Sequence, residues 1–377
     1  MNFDYSADQL MLKEEARKFL SARCSSAMVR AALDDPNRSH DAALWSQIAE
    51  MGWLGSVLPK AHGGLGMSTI DLCAIAEEMG RALAPVPFAS TLYFFAQALL
   101  LAGSKAQQSK WLPKITEGKL IGCFATAEGP GESLPTILQV RIDDGRLHGI
   151  KLPVTDGDIA DAAIVLAREG NSASLFIVDL HADGVDKKSL DSLDPTRGLA
   201  RLSFSAVPAE RLGQPGEGIV LTQKVFDRAA TLLAFEQIGG ADRCLELAKA
   251  YALERYAFGR PIASFQAIKH KLADVFVRNE IARSNAYYAA WALDENSDDL
   301  PLAAATARIA ASDAYWHASK ENIQIHGGMG FTWEVDAHLY YRRAQQLALV
   351  AEAPRYWKQR LVAQLEKQRG TGVDKKA

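Results

Sequence analysis

The hydrophobic period changes twice along this chain, and the two changes divide 377 residues into helices, strands and helices again. Near the N-terminus Ser6 and Gln9 have the spacing of a capping box, and Leu10, Leu12, Ala16, Phe19 and Leu20 then recur at helical period. The same period holds over 44–54, 68–84 and 87–102, with a Pro/Gly-rich break from Pro59 to Gly64. From Ile121 short apolar and β-branched runs alternate with turns. Residues 139–142 and 146–154 flank Asp144-Gly145, a hairpin signal with a two-residue turn, and 162–167, 175–180 and 199–205 read as further strands. Pro208, Gly213, Gly216 and Gly218 close that block, and the helical period returns at Ile219 and holds to about Leu365. Residues 367–377 are polar and read as a frayed tail. The pattern predicts an α+β multidomain chain: helices over 1–120, a β-domain over 121–215, and helices over 216–377.

Composition narrows the partners. The net charge of −3 carries no long single-sign blocks, which argues against nucleic acid or an anionic membrane. Cys24, Cys73, Cys123 and Cys244 are scattered without metal-ligand spacing, which points away from zinc and disulfides and toward a reducing compartment. Residues 92–101 are too short to span a bilayer and contain Gln97, so they read as a buried helix. The N-terminus lacks a basic segment followed by an apolar one, and the expected location is the cytoplasm.

One helix-to-helix joint concentrates chemistry. Arg255-Tyr-Ala-Phe258-Gly259-Arg260-Pro261 leads through Phe265 to Gln266, and offers two forked donors suited to a pyrophosphate, a flat apolar face and an amide that reads a polar edge. A Schellman-type helix stop with solvated arginines is the alternative. Further on, Gln324-Ile-His326-Gly327-Gly328-Met-Gly330 delivers glycines that let backbone approach a ligand closely.

With three more segments in order, the chain resembles the acyl-CoA dehydrogenase family from about Tyr5 to Glu366. These are Met51-Gly52-Trp53-Leu54-Gly55 with Gly63-Gly64-Leu65-Gly66, Leu193-Asp194-Pro195-Thr196-Arg197, and Phe124-Ala-Thr126-Ala127-Glu128 with Lys151-Leu-Pro153-Val-Thr155. The resemblance implies a helical N-terminal domain, a barrel-like middle β-domain and a C-terminal four-helix bundle. Members hold FAD among the middle domain, the C-terminal domain and a neighbouring subunit. It implies an acyl-CoA substrate, an electron-transfer flavoprotein as acceptor, and a homo- or heterotetramer. Carried over by position, the FAD contacts are Arg255, Phe258, Gln266, Gln324, Gly327, Gly328, Thr126 and Thr155, with His326 a packed histidine rather than a base. The chain departs from the family in the flavin wall: Ala127 stands at the flavin-contacting Thr position, Pro153 at a Trp, and the Gly-Ser-Asp ending is scrambled through Glu132-Ser133.

The chemistry so implied is α,β-oxidation of a thioester, in which a carboxylate in a water-poor pocket takes the α-proton as hydride leaves to flavin. Counting from Arg342 the usual base position is Ala351, one residue short of Glu352. A smaller branch places its Glu at what is Ala229 here, followed by Ala230. The remaining candidate is Glu236, in the apolar run Ala230-Thr-Leu-Leu-Ala-Phe235-Glu236-Gln-Ile238, about two helical turns beyond Ala229. Glu236 is the expected base, with a buried ion pair as its competing role and Glu352 as its rival. The alternative to an enzyme is a subunit without chemistry of its own that completes a heterotetramer by lending Arg255, Phe258 and Gln266 to a partner's FAD.

Overall fold

The computed structural model describes residues 4–35, 40–131 and 133–373. Helices α1 (Ala7–Arg23), α2 (Ser26–Asp34), α3 (Ala42–Glu50), α4 (Thr69–Ala82), α5 (Ala96–Ala102) and α6 (Lys105–Thr116) precede the strands. Strands β1 (Gly122–Ala125), β2 (Arg141–Asp143), β3 (Arg146–Thr155), β4 (Ala162–Glu169), β5 (Ser172–Asp179), β6 (Val185–Leu190), β7 (Leu199–Pro208) and β8 (Glu210–Leu212) follow. Then come α7 (Gly218–Glu254), the two-residue strands β9 (Tyr256–Ala257) and β10 (Arg260–Pro261), α8 (Gln266–Asp294), α9 (Leu300–His326), α10 (Ala337–Leu349) and α11 (Pro354–Val373). The chain forms two compact units. One comprises Met1–Ser26, Thr69–Ala84 and Ala230–Ala377, the other Ala27–Ser68 and Pro85–Ala229.

The second unit is built on the sheet, in the order β6-β7-β3-β2-β4-β5-β8. The Asp144-Gly145 turn joins β2 to β3 with both residues left-handed, at φ 47° and 73°, as a primed two-residue hairpin requires. β4 is buried along its first six residues, so it reads as one apolar run rather than an alternation. One edge of β4 is shared: β1 pairs parallel along Ala162–Val165, and β2 meets Arg168 further on. The run from Ala89 to Phe95 is π-helical and wholly buried, and continues as α5, the buried helix expected there. Gln97, its one polar outlier, accepts from Arg228 at 3.2 Å.

The first unit is helical. The capping box forms as read, with Ser6 and Gln9 exchanging bonds. In the bundle α9 runs beside α8, α10 and α11, and α7 joins it through Phe235 against Tyr287 and Gln237 against Ser312. Helix α4 crosses α7 on a reciprocal pair of glycines. A Cβ on Gly80 would lie 1.8 Å from the Glu236 carbonyl oxygen, and one on Gly239 would lie 1.8 Å from that of Glu77. The four cysteines are buried free thiols. Among the described residues no helix is long and apolar enough to cross a membrane, and no cluster of metal-ligating side chains occurs.

The tail differs from its expectation. Helix α11 continues to Val373 instead of fraying at residue 367, because Glu366, Lys367, Gln368 and Arg369 are good helix formers and no proline interrupts them. Residues 374–377 of that tail, and Glu132 of the flavin-wall run, lie outside the described residues.

Candidate functional site

The joint after α7 is a miniature hairpin. Arg260 pairs with Ala257 and Pro261 with Tyr256, and the turn between them is Phe258-Gly259, at φ 54° and 78°. Glycine suits such a turn, whereas phenylalanine in the left-handed region costs about 1–2 kcal/mol. Phe258 is also 96% exposed. Its ring meets Phe265 edge-on at 6.3 Å, and the Arg260 guanidinium lies 4.2 Å over the Phe265 ring. Arg255 and Gln266 are exposed, and the Ile262 amide closes the joint on the Arg255 carbonyl at 2.8 Å. The solvated-arginine reading leaves this outward, strained aromatic without explanation.

The glycine element packs against that joint. Gly327–Phe331 forms a short 3-10 turn after α9. Gln324, Gly327 and Gly328 are exposed, and a Cβ on either glycine would meet nothing within 4 Å. That is open backbone of the kind a bulky ligand can approach. Gly330 differs, since a Cβ there would come within 2.4 Å of the Ile323 carbonyl. His326 is buried, its Nδ1 2.8 Å from the Asn322 carbonyl and its ring stacked on Tyr251 at 4.3 Å. Ala248, Ala252 and Ile325, with Ile262, Ile268 and Leu272 packed on them, tie the two elements together. Six of the sequence-predicted contacts thus sit on two adjoining elements of one unit.

Thr126 and Thr155 belong to the other unit. Thr126 is buried just after β1, and Thr155 ends β3 opposite Leu199. The residue that organises this region, Lys151, is fully buried. It donates to the Thr126 carbonyl at 2.8 Å and to Glu128 at 2.7 Å. Glu128 also accepts the amides of Gln139 and Val140, at 2.6 and 3.1 Å, and so ties that segment to Lys151. Burial pushes the Lys151 ammonium down to about 8, against the pull of Glu128. An unfolded lysine keeps its proton to about pH 10.4, so between those values the unfolded chain binds more protons and stability rises with pH. We expect the stability difference between wild type and Lys151→Met to shift toward wild type from pH 8 to 10, by up to about 1.4 kcal/mol per unit. Urea titrations across that range would show it, and a flat difference would refute it.

The carboxylates lie within the helical unit. Glu236 has no exposed surface, and its Oε1 stands 3.6 Å from Arg343 on α10. Ala229 and Ala230 are buried alanines. Glu352 is buried too, in a turn where Ala351 and Glu352 are left-handed in succession, at φ 55° and 84°. The sequence reading overlooked Arg308, Arg343 and Lys151. The signal that singled out Glu236, a charge inside an apolar run, also marks Arg308 among Ala303–Ala311.

Comparison with known proteins gives the family. Residues 6–119 match the family "Acyl-CoA dehydrogenase, N-terminal domain" and residues 216–351 match "Acyl-CoA dehydrogenase, C-terminal domain". Acyl-CoA dehydrogenase IpdE2 of Mycobacterium tuberculosis is 35% identical over 359 residues, covering 95% of this chain and 97% of that one. The mitochondrial short-chain specific acyl-CoA dehydrogenase of Homo sapiens is 32% identical over 320 residues, 80% of this chain and 77% of that one. A chain of the ChsE4-ChsE5 complex from Mycobacterium tuberculosis superimposes with a TM-score of 0.88 at 25% identity, covering 97% and 99%. The chain belongs to the acyl-CoA dehydrogenase family.

Proposed function

We propose that the chain takes part in FAD-dependent α,β-dehydrogenation of an acyl-CoA thioester, within a tetramer that passes its electrons to an electron-transfer flavoprotein. The observation that carries this reading is Phe258, fully outward in a strained turn between two arginines. Backbone strain of this kind clusters at ligand-binding and active sites. The donors fit a dinucleotide: Arg255 and Arg260 match a pyrophosphate, Phe258 gives a stacking face, Gln266 and Gln324 read polar edges, and Gly327-Gly328 leaves room for close approach. FAD held there would supply the hydride acceptor. On the other unit, Lys151 and Glu128 keep the Thr126 segment in place beside β3. Glu236 is the proposed base, and it must leave Arg343 to meet the substrate α-carbon.

A second reading has specific support. Both usual base positions hold alanine, at Ala229 and Ala351, and Glu236 is committed to an ion pair. The chain then acts as one half of a heteromeric dehydrogenase, lending the Phe258 hairpin to a partner's FAD, and a structural relative comes from a complex of two named proteins.

An absorbance spectrum of the purified chain, followed by anaerobic titration with acyl-CoAs, separates the two. The first reading expects a yellow protein that bleaches with substrate, and a loss of about 10²–10⁴-fold in Glu236→Gln. Loss in Glu352→Gln instead moves the base. A colourless chain that turns yellow and active only with a co-expressed relative supports the second. In either case Arg255→Ala should weaken FAD retention by about 1.5–3 kcal/mol, read by flavin release during dialysis.

A further inference from the structure

Arg308 sits on α9 with the buried Ala304, Ala305, Ala307 and Ala311 beside it. A guanidinium there is costly unless its donors are satisfied. One donates to the Gln237 side chain on α7. Nη2 donates to backbone, to the Leu347 carbonyl and, at 2.8 Å, to that of Val350, while Nε is buried without a hydrogen-bond partner among the described residues. Those carbonyls close α10, where a helix runs out of amides of its own and carries the negative end of its dipole. Burial pushes Arg308 down to about 9, with Glu236 opposing the fall.

The two residues after Val350 are Ala351 and Glu352, both left-handed and both buried. Two such non-glycine residues in succession persist only when their surroundings over-determine them. The second constraint comes from α11, whose Trp357 indole N–H donates to the Ala351 carbonyl at 3.0 Å. The turn is therefore held at consecutive carbonyls, by Arg308 on one side and Trp357 on the other. A methionine could fill most of the volume of Arg308 and a phenylalanine much of that of Trp357, but neither could hold a carbonyl.

We infer that Arg308 is a positioning residue, which together with Trp357 fixes the Val350–Glu352 turn and thereby the placement of the Glu352 carboxylate. Its catalytic consequence rests on the dehydrogenation reading in the form where Glu352 takes the role otherwise given to Glu236; the clamp itself does not. Because Arg308 acts through the turn, its loss leaves substrate binding nearly intact and slows the chemical step; its charge also acts on Glu236, and the cycle with Glu352 separates the two routes.

The test uses the full chain, co-expressed with its partner if one is required, as Arg308→Gln, Arg308→Lys and Trp357→Phe. Backbone hydrogen exchange over residues 346–357 should quicken about tenfold in Arg308→Gln and in Trp357→Phe, with 300–326 unchanged. Turnover should fall about 10²-fold with KM within about threefold, and Arg308→Lys should recover part of it. In a double-mutant cycle, the losses from Arg308→Gln and Glu352→Gln should not add. Unchanged exchange over 346–357, exchange that rises equally across α9, or quickened exchange with normal turnover would each overturn the inference. If Arg308→Gln does not fold, Trp357→Phe decides the inference by the same exchange and turnover readings. If wild type shows no acyl-CoA-dependent bleaching, the dehydrogenation reading falls and the exchange result alone decides the clamp.

Discussion

Gly239→Ala is expected to cost about 3 kcal/mol or more, because the new methyl has nowhere to go. It would lie 1.8 Å from the Glu77 carbonyl oxygen, and that oxygen belongs to helix backbone that cannot rotate away. Relief requires α4 and α7 to separate, which puts the effect at or above the upper end of overpacking. Gly80→Ala meets the Glu236 carbonyl at the same distance, so the two substitutions press on one crossing from opposite sides. Their combined cost should fall short of the sum, since helices parted by the first methyl already make room for the second. Gly328→Ala is the control: nothing stands within 4 Å, and folding should change by less than about 0.5 kcal/mol. Urea denaturation followed by circular dichroism measures all three. A Gly239→Ala protein as stable as wild type would mean that the helices do not cross this closely.

Arg283→Leu is expected to cost about 3–5 kcal/mol near neutral pH, and less in acid. Arg283 donates to Glu77 at 2.7 Å and to Asp242, joining α8 to α4 and α7. Glu77 is buried and also receives Lys13 at 2.7 Å and the Tyr5 hydroxyl at 3.1 Å. Burial alone would raise the Glu77 carboxyl, but Arg283 and Lys13 hold it below its ordinary value. Burial raises Asp242 despite Arg283. In wild type the Glu77 contribution is present above its unfolded pKa and fades as pH falls through the lower folded one. In the variant both carboxylates lose their shared cation, so the folded pKa of each rises, with Lys13 still facing Glu77. The variant should then be closest to wild type near pH 4 and fall behind as pH rises. A deficit independent of pH would show that lost packing, not charge, carries the effect.

Much of the fold is legible in the chain because local chemistry and tertiary context agree. Asp144-Gly145 names its hairpin turn, and the Ser6/Gln9 pair names the start of α1. Strand β6 escapes, since Val185-Asp-Lys-Lys-Ser-Leu190 is an edge strand whose charges blunt pairing and hide the apolar period. The π-helical run 89–95 escapes too, because a shift from i→i+4 to i→i+5 bonding leaves no mark on composition. At the candidate site, Arg255, Phe258 and the glycines stand out because forked donors, an outward aromatic and open backbone fall on two short segments of the sequence. The buried polar residues are harder. Glu236 stands out as a lone charge, but its partner Arg343 lies more than a hundred residues along the chain, and only the bundle joins them. Lys151 reads as one lysine of an alternating strand until Thr126 and Glu128 are seen beside it.

The shared edge of β4 bears on how the chain reaches its native state. The β2–β3 hairpin and the β4–β5 pair can zip early because their partners are close in sequence. β1 must wait, since Gly122 can dock beside Ala162 only once β4 is in place and the intervening chain has folded back. Closing that long loop is slow, and until it happens Ala162–Val165 presents unpaired backbone on the apolar run of β4. Newly made chains should therefore pass through an adhesive interval, and soluble yield should depend on crowding and temperature during synthesis more than on the stability of the finished protein.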